Sequence, residues 1–116
     1  MAEFTLYHNP RCSKSRQTLA LLNDAGVEPH VVEYLQNPPS TAELTRILEL
    51  LKMAPRSLMR TKEDAYAENG LSDEALSDAE LIAAMIANPI LIERPIVVRG
   101  DRAVIGRPPE NVNDLL

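Results

Sequence analysis

The segment that decides the fold begins Phe4-Thr5-Leu6-Tyr7-His8-Asn9-Pro10-Arg11-Cys12-Ser13 and runs on to Leu35. Residues 4–8 mix aromatic, β-branched and aliphatic types, the make-up of a short strand. Asn9-Pro10 breaks that strand with a turn signal. From about Ser13 the period changes. Ser15, Thr18, Leu19 and Leu22 recur at spacings of three and four, which predicts a helix, with Gly26 as its C′ stop. Val31 and Val32, with Tyr34 and Leu35 after Glu33, predict a second strand. A right-handed crossover would make the two strands parallel.

Beyond this unit, Asn37-Pro38-Pro39 is a stop, and Ser40-Thr41-Ala42-Glu43 has the spacing of a capping box. Leu44, Ile47, Leu48 and Leu51 then mark one face of an amphipathic helix. Pro55 opens a short helical turn that leads to Arg60, and residues 61–70 are polar, a loop or short helix. A second capping box, Ser77-Asp78-Ala79-Glu80, precedes Leu81, Ile82, Met85 and Ile86, a helix that stops before Pro89. Ile96-Val97-Val98 and Ala103-Val104-Ile105 flank Gly100-Asp101, which suits the centre of a type II′ turn, so these strands form an antiparallel hairpin. A last short helix follows Gly106-Arg107-Pro108-Pro109. The order is β-α-β, then helices, then β-β-α, an α/β chain expected to form one domain over residues 1–116 around a four-stranded mixed sheet.

Composition bounds the function. The 116 residues are 45% hydrophobic and 25% charged, near the globular average, which argues against disorder. No apolar run approaches the roughly 20 residues of a spanning helix. The stretch from Met1 to Thr5 lacks the basic-then-apolar pattern of a secretory signal, so a cytoplasmic location is expected. Seventeen acidic against twelve basic residues give a net charge of −5, which argues against a nucleic-acid or anionic-membrane partner.

There is one cysteine, Cys12, so no internal disulfide and no multi-cysteine zinc site can form. It stands where the first helix is predicted to begin, and the free amides and positive dipole end of a helix favour an anion there. Arg11, Lys14 and Arg16 add positive charge. His8 at the strand end, and Ser15, whose hydroxyl can reach a thiolate three positions earlier, are expected to support it. A dithiol motif needs a second cysteine at position 15, which is Ser15, and a phosphatase-type anion loop needs arginine at position 18, which is Thr18. What remains is a single thiol nucleophile whose covalent product must be resolved by a thiol from another molecule.

The run His8-Asn9-Pro10-Arg11-Cys12-Ser13-Lys14-Ser15-Arg16 resembles the active-site segment of the glutaredoxin-coupled arsenate reductase family, a branch of the thioredoxin superfamily. The similarity continues in Tyr34-Leu35-Gln36-Asn37-Pro38-Pro39, in Leu58-Met59-Arg60, in the stretch from Asn88 to Ile96, and in Gly106-Arg107-Pro108. The chain ends at Leu116, soon after Arg107, where longer family members continue. The resemblance implies a thioredoxin-like fold, Cys12 as nucleophile, and Arg60, Arg94 and Arg107 as ligands of the oxyanion. It also implies that Pro95 is the cis proline of that fold. Arsenate is the implied substrate, glutathione the reducing co-substrate and glutaredoxin the partner, with no metal and no bound cofactor. The residue types suit this chemistry, because a multiply charged tetrahedral anion is best held by planar guanidinium forks that keep their charge. Two other readings share parts of the pattern: a non-catalytic relative that binds RNA polymerase, and a general glutathione-dependent thiol-disulfide oxidoreductase.

Overall fold

A computed structural model describes residues 3–116. Met1 and Ala2, which open the stretch expected to lack a secretory signal, lie outside the described residues. The chain divides into two compact units. One joins the N-terminal segment through Asn37 to Arg94–Leu116, and the other is Pro38–Glu93.

The first unit is built on strands β1 (Phe4–Tyr7), β2 (His30–Val32), β3 (Ile96–Arg99) and β4 (Arg102–Ile105), in the sheet order β2-β1-β3-β4. β1 and β2 are parallel, and the β1–β3 and β3–β4 pairs are antiparallel, so the sheet is mixed as expected. Helix α1 (Ser13–Asp24) connects β1 to β2 and turns Ser15, Thr18 and Leu22 inward. It stops at Gly26, whose φ of +81° is a left-handed value that glycine adopts freely. Leu22 and Val112 pack with Phe4, Leu6, Val97 and Leu115 into one core between α1, the sheet and a terminal 3₁₀ helix, Pro109–Leu115. Each such side chain, fully buried, contributes on the order of 2 kcal/mol.

The hairpin turn is Gly100-Asp101, with Gly100 at φ +60° and Arg99 paired with Arg102 across it. Asp101 is not among the positive-φ residues, as a type II′ turn requires. One expectation fails: Tyr34 and Leu35 are not in a strand. The Glu33 carbonyl accepts from the amides of Gln36 and Asn37, which bends the chain into a turn after Val32, and Tyr34 is buried from that turn.

The second unit holds α2 (Thr41–Leu51), α3 (Pro55–Leu58), α4 (Asp64–Glu68) and α5 (Asp78–Ala87), followed by a 3₁₀ turn, Pro89–Leu91. Both predicted capping boxes form, at Ser40/Glu43 and Ser77/Glu80, with each serine hydroxyl accepting from the glutamate amide and each glutamate reaching back. α2 and α3 both pack on α5, with Leu44, Ile47, Leu48, Leu81, Ile82 and Met85 buried. After α3 the chain lies against segment 91–93: Met59 bridges to Ile92, Arg60 donates its amide to Leu91, and Glu93 donates to Leu58.

Arg56 ties α3 down from its other side. Its Nη1 donates to Tyr66 Oη (2.7 Å) and to the Leu71 carbonyl (2.6 Å), and Nη2 donates to the Asp73 carbonyl (2.9 Å). Replacing Arg56 by Ala removes three charge-assisted bonds from one side chain. Urea denaturation should show a loss of about 1–3 kcal/mol. An unchanged midpoint would mean that these bonds merely replace solvent.

Candidate functional site

The sheet order brings three separate segments to one end of the first unit. β1 and β3 run in opposite directions, with Tyr7 opposite Ile96, so the end of β1 lies beside the start of β3. β3 and β4 are also antiparallel, with Ile96 opposite Ile105, so the end of β4 lies there too. The 8–12 loop, Arg94-Pro95 and Gly106-Arg107 therefore share one edge of the sheet.

Cys12 is buried at this edge, at the N-cap position of α1, where its own side chain caps no amide. The loop before it is stitched together. Cys12 donates its amide to the Asn9 carbonyl, and the Asn9 Oδ1 accepts from the Arg11 amide, both at 3.0 Å. Asn9 donates its own amide to Ser15 Oγ at 3.1 Å, and Ser15 Oγ lies 2.6 Å from His8 Nδ1. The hydroxyl oxygen thus bridges the strand end and the loop. If its one proton goes to His8, it has none to offer the thiol. Arg16 closes the loop by donating from Nη1 to the Pro10 carbonyl. Asn9, a turn residue by type and part of the run that carries the resemblance, thus holds the loop through its amide, its carbonyl and its side chain.

Burial, with Arg16 adding to it, holds the His8 imidazole below its ordinary value of 6.5, while Glu33 opposes the shift. The folded chain therefore accepts this proton less readily than the unfolded chain. The stability so gained is present in full above pH 6.5 and is lost as pH falls from there through the folded-state value. Unfolding in urea at pH ~7.5 and pH ~5.5 should show wild type losing stability that His8→Asn keeps. Equal losses in the two proteins would remove His8 as the cause.

The arginines enter from the hairpin. Arg107 Nη2 lies 3.5 Å from Cys12 Sγ, and its Nε donates to the Arg94 carbonyl at 2.7 Å. The side chain of Arg94 has Nε and Nη1 shut away from solvent. The Arg94-Pro95 bond is cis, as the resemblance implied, and so is Arg107-Pro108, which the sequence reading did not single out. Arg60 belongs to the second unit, where its Nε pairs with Glu63 Oε1 at 3.6 Å. Its Nη1 is buried with no hydrogen-bond partner among the described residues.

A four-stranded mixed sheet in this order, with a cysteine heading the first helix, defines the thioredoxin-like class. An ArsC family model matches residues 7–115, and the chain belongs to that family. Its relatives include YfgD of Escherichia coli (strain K12), described as an uncharacterized protein, 55% identical over 96% of this chain and 94% of that protein. The arsenate reductase of Rhizobium meliloti (strain 1021) is 49% identical over 97% of this chain and 80% of its own length. Among solved structures, the arsenate reductase from Vibrio cholerae superposes with a TM-score of 0.95 at 50% identity, covering 99% of this chain and 98% of that one.

Proposed function

We propose that this protein reduces arsenate to arsenite, with Cys12 as nucleophile and Arg60, Arg94 and Arg107 as the oxyanion ligands. The observation that carries the reading is the guanidinium of Arg107 at 3.5 Å from Cys12 Sγ. A fixed cation there favours the thiolate and an incoming anion alike. Arg94 shares the hairpin end with Arg107. Arg60 is included on the family resemblance and on its unpartnered Nη1, since a buried donor without a partner is costly unless a ligand satisfies it.

In the proposed reaction the Cys12 sulfur attacks arsenic, an S–As bond forms, and one oxygen leaves as water. A glutathione thiolate then attacks the Cys12 sulfur, and the S–As bond breaks with its electron pair left on arsenic. Arsenic thereby falls from the +5 to the +3 state, and arsenite departs from a Cys12–glutathione disulfide. Glutaredoxin takes the glutathione from that disulfide, which frees the Cys12 thiol, and the second glutathione restores glutaredoxin and leaves as glutathione disulfide. The net change is arsenate plus two glutathione thiols giving arsenite, one glutathione disulfide and water. No metal or bound cofactor takes part, and the whole chain acts as one domain in the reducing cytoplasm, away from nucleic acid and membrane.

Arsenate-dependent oxidation of NADPH, coupled through glutathione reductase and glutaredoxin, tests the proposal. Turnover that requires arsenate supports it. Turnover with a disulfide substrate alone would instead favour a thiol-disulfide oxidoreductase. No turnover with either, together with retention on immobilised RNA polymerase, would favour the regulator.

A further inference from the structure

Gly106, the residue before Arg107, has no positive φ, so the backbone conformation does not explain a glycine there. Space does. A Cβ at this position would stand 2.5 Å from Thr18 Oγ1, 2.8 Å from Pro95 Cγ and 3.2 Å from Thr18 Cγ2. None of these atoms ends a flexible side chain. The proline ring is rigid. Thr18 is fully buried, and its Oγ1 is tethered by donating to the Lys14 carbonyl at 2.9 Å.

The same glycine is also tied through its backbone, because its amide donates to the Pro95 carbonyl at 2.9 Å. Gly106 thus lies flat in a slot between α1 and the start of β3. Thr18 and Cys12 belong to one helix, about 9 Å apart along its axis. Pressing the hairpin end onto Thr18 therefore fixes the distance from the root of Arg107 to the sulfur.

We infer that Gly106 and Thr18 are positioning residues for the anion site, setting by contact where the Arg107 guanidinium stands relative to Cys12. The inference rests on the reading of Arg107 as an oxyanion ligand. A side chain at position 106 lifts the hairpin end from α1 and carries Arg107 with it. Misplacement of about 1 Å at a binding group is enough to cost up to ~100-fold in rate.

The test pairs steady-state arsenate reduction with the rate of Cys12 alkylation by iodoacetamide, measured with and without arsenate as a protecting anion. Gly106→Ala should lower kcat/KM by about tenfold or more and weaken the protection by arsenate comparably, while unprotected alkylation falls much less. Thr18→Ala adds no bulk and suits a helix interior, so it keeps the fold. It removes one wall of the slot and should lower kcat/KM by roughly threefold in the same pattern. The double variant Thr18→Ala/Gly106→Ala should regain part of the Gly106→Ala loss, since two of the three close atoms are gone.

A folded Gly106→Ala protein with wild-type kcat/KM and protection would overturn the inference. So would a fall in unprotected alkylation as large as the fall in reduction, or a double variant no better than Gly106→Ala. If Gly106→Ala does not fold, Thr18→Ala decides alone, and wild-type behaviour there overturns the role. A wild-type protein that reduces no arsenate overturns the proposed function instead. Protection by sulfate then still reads whether the slot places Arg107.

Discussion

Cys12→Ser is expected to abolish arsenate reduction to the background of the assay while leaving the fold at least as stable as wild type. An alcohol near neutral pH is a far poorer nucleophile than a thiolate, and the chain has no second cysteine to take its place. The stability half of this expectation comes from position. Cys12 is the N-cap of α1 and its side chain caps nothing, whereas serine is among the best N-cap residues. A hydroxyl there can accept from an amide of the first turn and add up to about 1 kcal/mol. The two measurements, coupled NADPH oxidation and urea denaturation, should therefore move in opposite directions. Substantial residual turnover would show that another group attacks arsenic.

Arg107→Ala should cost at least about tenfold in kcat/KM for arsenate, equivalent to one lost charge-assisted contact of about 1.5–3 kcal/mol. Arg107→Lys should recover only part, because an ammonium cannot make the two-pronged contact and cannot replace the bond from Nε to the Arg94 carbonyl. Alkylation of Cys12 by a neutral reagent should fall much less than arsenate reduction. Equal losses in both assays would mean that Arg107 tunes the thiol without holding the substrate. Arg60→Ala and Arg94→Ala, read in the same pair of assays, extend the test to the other two proposed ligands.

Much of the fold was legible because its signals are local. The capping boxes at Ser40 and Ser77, the Gly26 stop and the Gly100-Asp101 turn each act within a few residues, and each stands where the residue types place it. The exception is instructive. Val31-Val32-Glu33-Tyr34-Leu35 has the residue types of a strand, but the Glu33 carbonyl gathers two amides into a turn, and Tyr34 is buried outside the sheet. Residue type predicts that a tyrosine is buried better than it predicts the element that buries it.

The site was legible in part. Arg94-Pro95 and Gly106-Arg107 stand at mirrored distances from the Gly100-Asp101 turn, so the hairpin register alone makes them neighbours. The residue types place both arginines before prolines beside the hairpin, and the register sets them opposite each other. Ser15 illustrates the opposite case. Its spacing from Cys12 suggested a bond to sulfur, and only the packed structure shows its hydroxyl joined to His8 and to the Asn9 amide.

By itself, then, the sequence determined where the two capped helices begin, which turn closes the hairpin, and that a lone cysteine heads the first helix. Those features depend on capping, periodicity and backbone freedom over a few residues. Only the tertiary structure decided that β3 lies against β1, and hence that Arg107 meets a sulfur 95 positions away and Gly106 has room for no side chain against Thr18. Contacts of that kind depend on which strand edges pair and how closely a helix packs on them. Those choices are made by the whole buried surface of the unit, which no local run of residues encodes.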